Sequence, residues 1–131
     1  MRIESYFRQI EKFIEECPLV QLSTVTYEKR GTHEGFIRGE RYFVDGSTLH
    51  LREFVDVEIT ADRLMYAYQY IDPSQKLVFR YDNTGHHKKS GLYTYPHHKH
   101  DGHEDKVILS SAPNLAAVLQ EIESLVHPLL T

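Results

Sequence analysis

Apolar residues recur at helical spacing along the first sixteen positions. Ile3, Tyr6, Phe7, Ile10, Phe13 and Ile14 share one side, with Glu and Arg between them. The pattern predicts an amphipathic helix over residues 2–16, ended by Pro18. The period then shortens to two. Residues 19–28 alternate Val20, Leu22, Thr24 and Thr26, and residues 34–44 are aromatic-rich and broken by Gly35 and Gly39, which mark bulges or a close approach. Asp45-Gly46 signals a hairpin, since both residues tolerate positive φ.

The clearest strand follows. Leu49, Leu51, Val55, Val57 and Ile59 lie on one face, with His50, Arg52, Asp56 and Glu58 on the other. Residues 63–71 alternate Leu64, Tyr66, Tyr68 and Tyr70, and Asp72-Pro73-Ser74 makes a turn. Residues 76–82 alternate Leu77, Phe79 and Tyr81. Residues 83–105 carry no apolar period and read as a long loop, before a short strand at 106–110. A closing helix begins near Ser111, with Ser111 or Asn114 as its cap and Leu115, Val118, Leu119, Ile122, Leu125 and Leu129 on one face. The predicted fold is α+β: an antiparallel meander of five to six strands with the N- and C-terminal helices packed on one face. The length of 131 residues suits one domain over 1–131.

Composition narrows the function classes. Cys17 is the only cysteine, so no intramolecular disulfide forms and a reducing compartment fits. No apolar run approaches a membrane span, so a cytoplasmic protein with no membrane partner is expected. The net charge of −4 does not advertise nucleic-acid binding by whole-molecule electrostatics.

Three features hold candidate chemistry. Strict alternation puts Glu53 on an apolar face, where a carboxylate is paired, protonated or turned into a cleft. Arg80 and Asp82 end one strand on the same side, and Asn83-Thr84-Gly85 then turns toward His86 and His87. Arg80 there offers a fork-shaped donor for a phosphate. Pro96-His97-His98-Lys99-His100, with His103 following, crowds imidazoles into a stretch without packing residues. Such histidines transfer protons in phosphodiester cleavage, or bind a transition metal together with Asp82 or Asp101. Lys88, Lys89 and Lys99 interleaved with Tyr81, Tyr93 and Tyr95 suit RNA, gripped through phosphates and stacked bases.

Together these residues resemble the TumE family of toxins from type II toxin–antitoxin systems. The resemblance rests on Gly35-Phe36 with Arg38-Gly39, Asp45-Gly46-Ser47 with Leu49 and Glu53, and Tyr66-Ala67-Tyr68. It continues through Arg80-Tyr81-Asp82-Asn83 with His86-His87, Tyr95-Pro96-His97-His98-Lys99-His100, and the closing helix from Leu115 to Glu123. It implies a cytoplasmic growth inhibitor encoded beside an antitoxin with a helix-turn-helix domain. A homodimer is left open.

The expected activity is a ribonuclease without a metal or other cofactor. Glu53, His86 or His87 acts as base, His98 or His100 as acid, and Arg80 and Lys99 stabilise the phosphorane-like transition state, with Asp82 in the same site. One alternative is a metal-dependent phosphoesterase or nucleotide-processing enzyme, with Asp82, His98, His100 and His103 as ligands of Zn or Mn. Another is a non-enzymatic inhibitory binding module.

Overall fold

In a computed structural model, residues 1–84 and 95–126 are described. Gly85, His86, His87, Lys88, Lys89, Tyr93 and Leu129, singled out in the sequence, lie outside them. Helix α1 (Ile3–Glu16) precedes strands β1 (Val20–Lys29), β2 (Glu34–Phe43), β3 (Thr48–Asp56), β4 (Asp62–Ile71), β5 (Leu77–Asp82), β6 (His98–Asp101) and β7 (Val107–Leu109), and helix α2 (Leu115–Leu125) closes the chain. The seven strands pair in chain order, each antiparallel to the next. The sheet is the predicted meander, with one or two strands more than predicted.

Short turns enforce this order. Gly46 takes φ +90°, and Asp45 Oδ1 accepts from the Ser47 N–H at 2.9 Å, closing the β2–β3 hairpin. Asp72 Oδ1 accepts from the N–H groups of Ser74 and Lys76 at 2.9 and 3.0 Å, and closes β4 onto β5 in the same way.

Both helices cover one face of the sheet. Ile3, Tyr6, Ile10 and Ile14 of α1 and Leu115, Val118, Leu119 and Ile122 of α2 pack there against Ile37, Leu49, Leu51, Val55, Tyr66, Tyr68, Tyr70, Phe79 and Tyr81. Burying such side chains contributes roughly 1.5–3 kcal/mol each. Asn114 is the α2 cap: its Oδ1 accepts from the Ala117 N–H at 2.9 Å. The two strand glycines serve close approach. A Cβ on Gly35 would stand 2.6 Å from the Phe7 ring of α1, and one on Gly39 would stand 2.3 Å from the Thr24 carbonyl oxygen. The register irregularities fall elsewhere, at Val20/Leu22, Phe54/Val55 and Tyr70/Ile71.

Two local readings are corrected. The predicted face from Leu49 to Ile59 is cut short, because Asp56 Oδ1 accepts from the Glu58 N–H and turns the chain, leaving Ile59 93% exposed. The predicted loop at 83–105 contains β6. Its four residues, His98-Lys99-His100-Asp101, include no aliphatic side chain, so no apolar period announces the strand.

Candidate functional site: the open face of the sheet

Alternation leaves a second face that neither helix covers, and the register arranges its side chains in two adjacent rows. One row runs Thr24, Glu40, His50, Gln69, Arg80, His100 across β1 to β6. The other runs Thr26, Arg38, Arg52, Ala67, Asp82, His98. Together the rows form a concavity of about 980 Å³, lined by most of these residues and by Thr84.

At its β5–β6 end sits a buried polar cluster. Asp82, His98 and His100 are 2%, 2% and 1% exposed. Asp82 Oδ1 lies 2.8 Å from His98 Nε2, and Asp82 Oδ2 lies 3.7 Å from His100 Nε2. The Thr84 N–H and hydroxyl donate to Asp82 Oδ1 at 3.1 and 3.0 Å and orient the carboxylate. Arg80 spends its whole guanidinium here. Nε donates to Asp82 Oδ2 at 3.0 Å, Nη1 to Gln69 Oε1 at 3.2 Å and Glu104 Oε2 at 3.0 Å, and Nη2 to His100 Nε2 at 3.0 Å and to Glu104 Oε1. Those bonds use all of the donors an arginine carries. The phosphate fork expected of Arg80 is therefore a clamp that joins β4, β5, β6 and the segment after β6.

At the other end the situation is reversed. Arg38 and Arg52 are directly cross-strand and both exposed. Like charges in that position repel. Among the described residues neither guanidinium has a hydrogen bond or an ion pair. Beside them, His50 Nδ1 stands 3.2 Å from Glu40 Oε1, and the Tyr42 hydroxyl donates to Glu40 Oε2. Glu40 thus holds one nitrogen of an imidazole that lines the concavity.

The fold brings Arg80, Asp82, His98 and His100 together. It puts Glu53 and Lys99 on the opposite, helix-covered face, because both alternate out of phase with that set. Glu53 is 1% exposed and accepts from the Tyr6 hydroxyl and, at 2.6 Å, from the Tyr68 hydroxyl. Burial raises its carboxyl above the ordinary glutamate value, outweighing those bonds and the Arg63 charge. Arg63 donates to Tyr68 at 3.3 Å and to the carbonyls of Ala112 and Pro113 at 2.8 and 2.7 Å, which ties this network to the start of α2. Glu53 is in a structural network, not in the concavity. Lys99 Nζ lies over the Tyr81 ring at 4.9 Å and 3.7 Å from Glu121 of α2. His103 is an exposed residue of the β6–β7 connection, where its Nδ1 accepts from the Asp105 N–H at 3.1 Å. Sequence reading gave no role to Glu40, His50 or Arg52, and none to Arg38. The signal was present in the alternation that places His50 and Arg52 opposite Leu49 and Leu51.

A one-sided antiparallel sheet, with cations and imidazoles on its uncovered face, defines the class: a small α+β protein with one polar, uncovered sheet face. The chain belongs to the TumE toxin family: the family described as Toxin TumE matches residues 10–126. It is therefore the toxin component of a toxin–antitoxin system, with a cognate antitoxin as partner. No curated protein and no solved structure matches it significantly. Among the described residues no helix is long and apolar enough to cross a membrane.

Proposed function

We propose that the toxin is a metal-independent ribonuclease that binds RNA along the open face and cleaves it at the His50–Glu40 end. The observation that carries this reading is the facing Arg38–Arg52 pair. Two adjacent guanidiniums with no counter-ion among the described residues are costly unless an anion joins them, and a phosphodiester supplies that charge. The net charge of −4 argues against long-range steering of RNA but not against a local cradle.

In this reading His50 Nε2 removes the proton from an RNA 2′-hydroxyl. The 2′-oxygen attacks the adjacent phosphorus, the P–O5′ bond breaks, and a 2′,3′-cyclic phosphate forms. Arg38 and Arg52 stabilise the charge on the phosphorane-like transition state, and water protonates the departing O5′. Glu40 positions the imidazole through its Nδ1.

The antitoxin in this reading carries a helix-turn-helix domain and neutralises the toxin by covering the open face. The test is end-mapping of cellular RNA after induced expression. New 5′-hydroxyl ends are expected. The Arg38→Ala/Arg52→Ala protein should lose at least about 10²-fold in cleavage, with growth restored and its melting temperature unchanged or slightly raised. Full toxicity without new RNA ends would overturn the reading.

A further inference from the structure

The cluster at the β5–β6 end has geometry that this ribonuclease reading does not use. A backbone carbonyl only accepts hydrogen bonds, so a ring nitrogen bonded to one must carry its proton. His98 Nδ1 meets the Pro96 carbonyl at 3.0 Å, and His100 Nδ1 meets the Glu104 carbonyl at 2.6 Å. Both Nδ1 atoms thereby carry a proton, and the Nε2 atoms face Asp82. A 2.8 Å contact between an imidazole nitrogen and a carboxylate oxygen is bridged by a cation, either a proton on the nitrogen or a metal ion.

We propose that Asp82 together with the Nε2 atoms of His98 and His100 forms a binding site for one divalent transition-metal ion, zinc by preference. The three ligand atoms lie within 4.8 Å of one another, and all three side chains are buried. Two imidazoles and one carboxylate are a donor set for borderline metals. The supporting shell is also in place. Carbonyls fix both imidazoles, and Thr84 fixes the carboxylate, as outer partners orient ligands in metal sites. Asp82 also lines the concavity. Arg80 releases His100 and Asp82 when the ion binds, and keeps Gln69 and Glu104. His103, a ligand in the sequence-based alternative, takes no part. The ion would pin β5 to β6.

The full-length chain, produced without a metal-affinity tag and stripped by chelator, is titrated with zinc against a chromophoric chelator in the absence of RNA. One site per chain is expected. His98→Ala and His100→Ala should each weaken it by at least about tenfold to a hundredfold, while His103→Ala leaves it unchanged. If either variant fails to fold, the ring-nitrogen resonances of folded wild type decide: zinc must shift both Nε2 signals and leave both Nδ1 protons in place. Failure of the wild type to take up zinc, retention of full affinity in the folded His98→Ala/His100→Ala protein, or unmoved Nε2 signals would each overturn the site. No arm involves RNA, so the outcome is separable from failure of the ribonuclease reading.

Discussion

Two buried carboxylates, Glu53 and Asp82, stand on opposite faces of one sheet and are satisfied in different ways. Glu53 is surrounded by phenols: Tyr6 and Tyr68 donate to it, and Arg63 lies nearby. Those groups tie α1 to the sheet, and none of them lines the concavity of the open face. Asp82 is surrounded by two imidazoles, a guanidinium and a hydroxyl, and its side chain lines the open face. Depth of burial does not separate the two. The chemistry of the partners does: phenols with high pKa values fix a carboxylate in place, whereas imidazoles give it a proton or a shared metal ion.

That contrast predicts where substitutions act. The largest effect belongs to the open face. His50→Ala should lower the RNA cleavage rate by about 10²–10⁴-fold while leaving the urea midpoint near that of wild type. Comparable activity in the variant would remove His50 from the chemistry and leave the arginines as a binding surface only.

The next effect belongs to the covered face. Glu53→Ala strands the Tyr6 and Tyr68 hydroxyls and opens a cavity, so a loss of about 2–4 kcal/mol is expected in denaturant unfolding. The surviving folded fraction should cleave RNA at the wild-type rate. Reduced specific activity in that fraction would mean that the two faces are coupled.

The smallest effect is a slope. Burial holds the Glu53 carboxyl above its ordinary value of 4.5. Between that value and the folded one, the native state binds more protons than the unfolded chain. This group therefore makes stability fall as pH rises through that window, and it adds no slope below it. Glu53→Gln should flatten the decline from about pH 4.5 upward in urea midpoints measured across pH. An unchanged slope would locate the titration elsewhere.

Most of the architecture was legible from periodicity. The two helices, the Asp45-Gly46 hairpin and the strands through Asp82 follow from apolar spacing and turn chemistry. β6 was missed because its burial comes from polar groups satisfying one another, which leaves no hydrophobic period. The site was half legible. The sequence grouped Arg80, Asp82, His98 and His100 in one site with Glu53 and Lys99, which the sheet places on its other face. Arg38, Glu40, His50 and Arg52 read as ordinary solvent-facing strand residues.

Local sequence determined which residues alternate in and out of each strand, because the side-chain period of a strand is two. It also determined where the chain reverses, through Asp, Gly and Pro at the turns. Only tertiary structure decided which face the helices cover, and hence that Glu53 is enclosed with tyrosines while Arg38 and Arg52 stand uncovered. Strand register made the rows: residues far apart in the chain, such as Arg38 and His98, line one face because each hydrogen-bonded ladder fixes its neighbour's phase. That phase is a property of the paired sheet, and no single segment carries it.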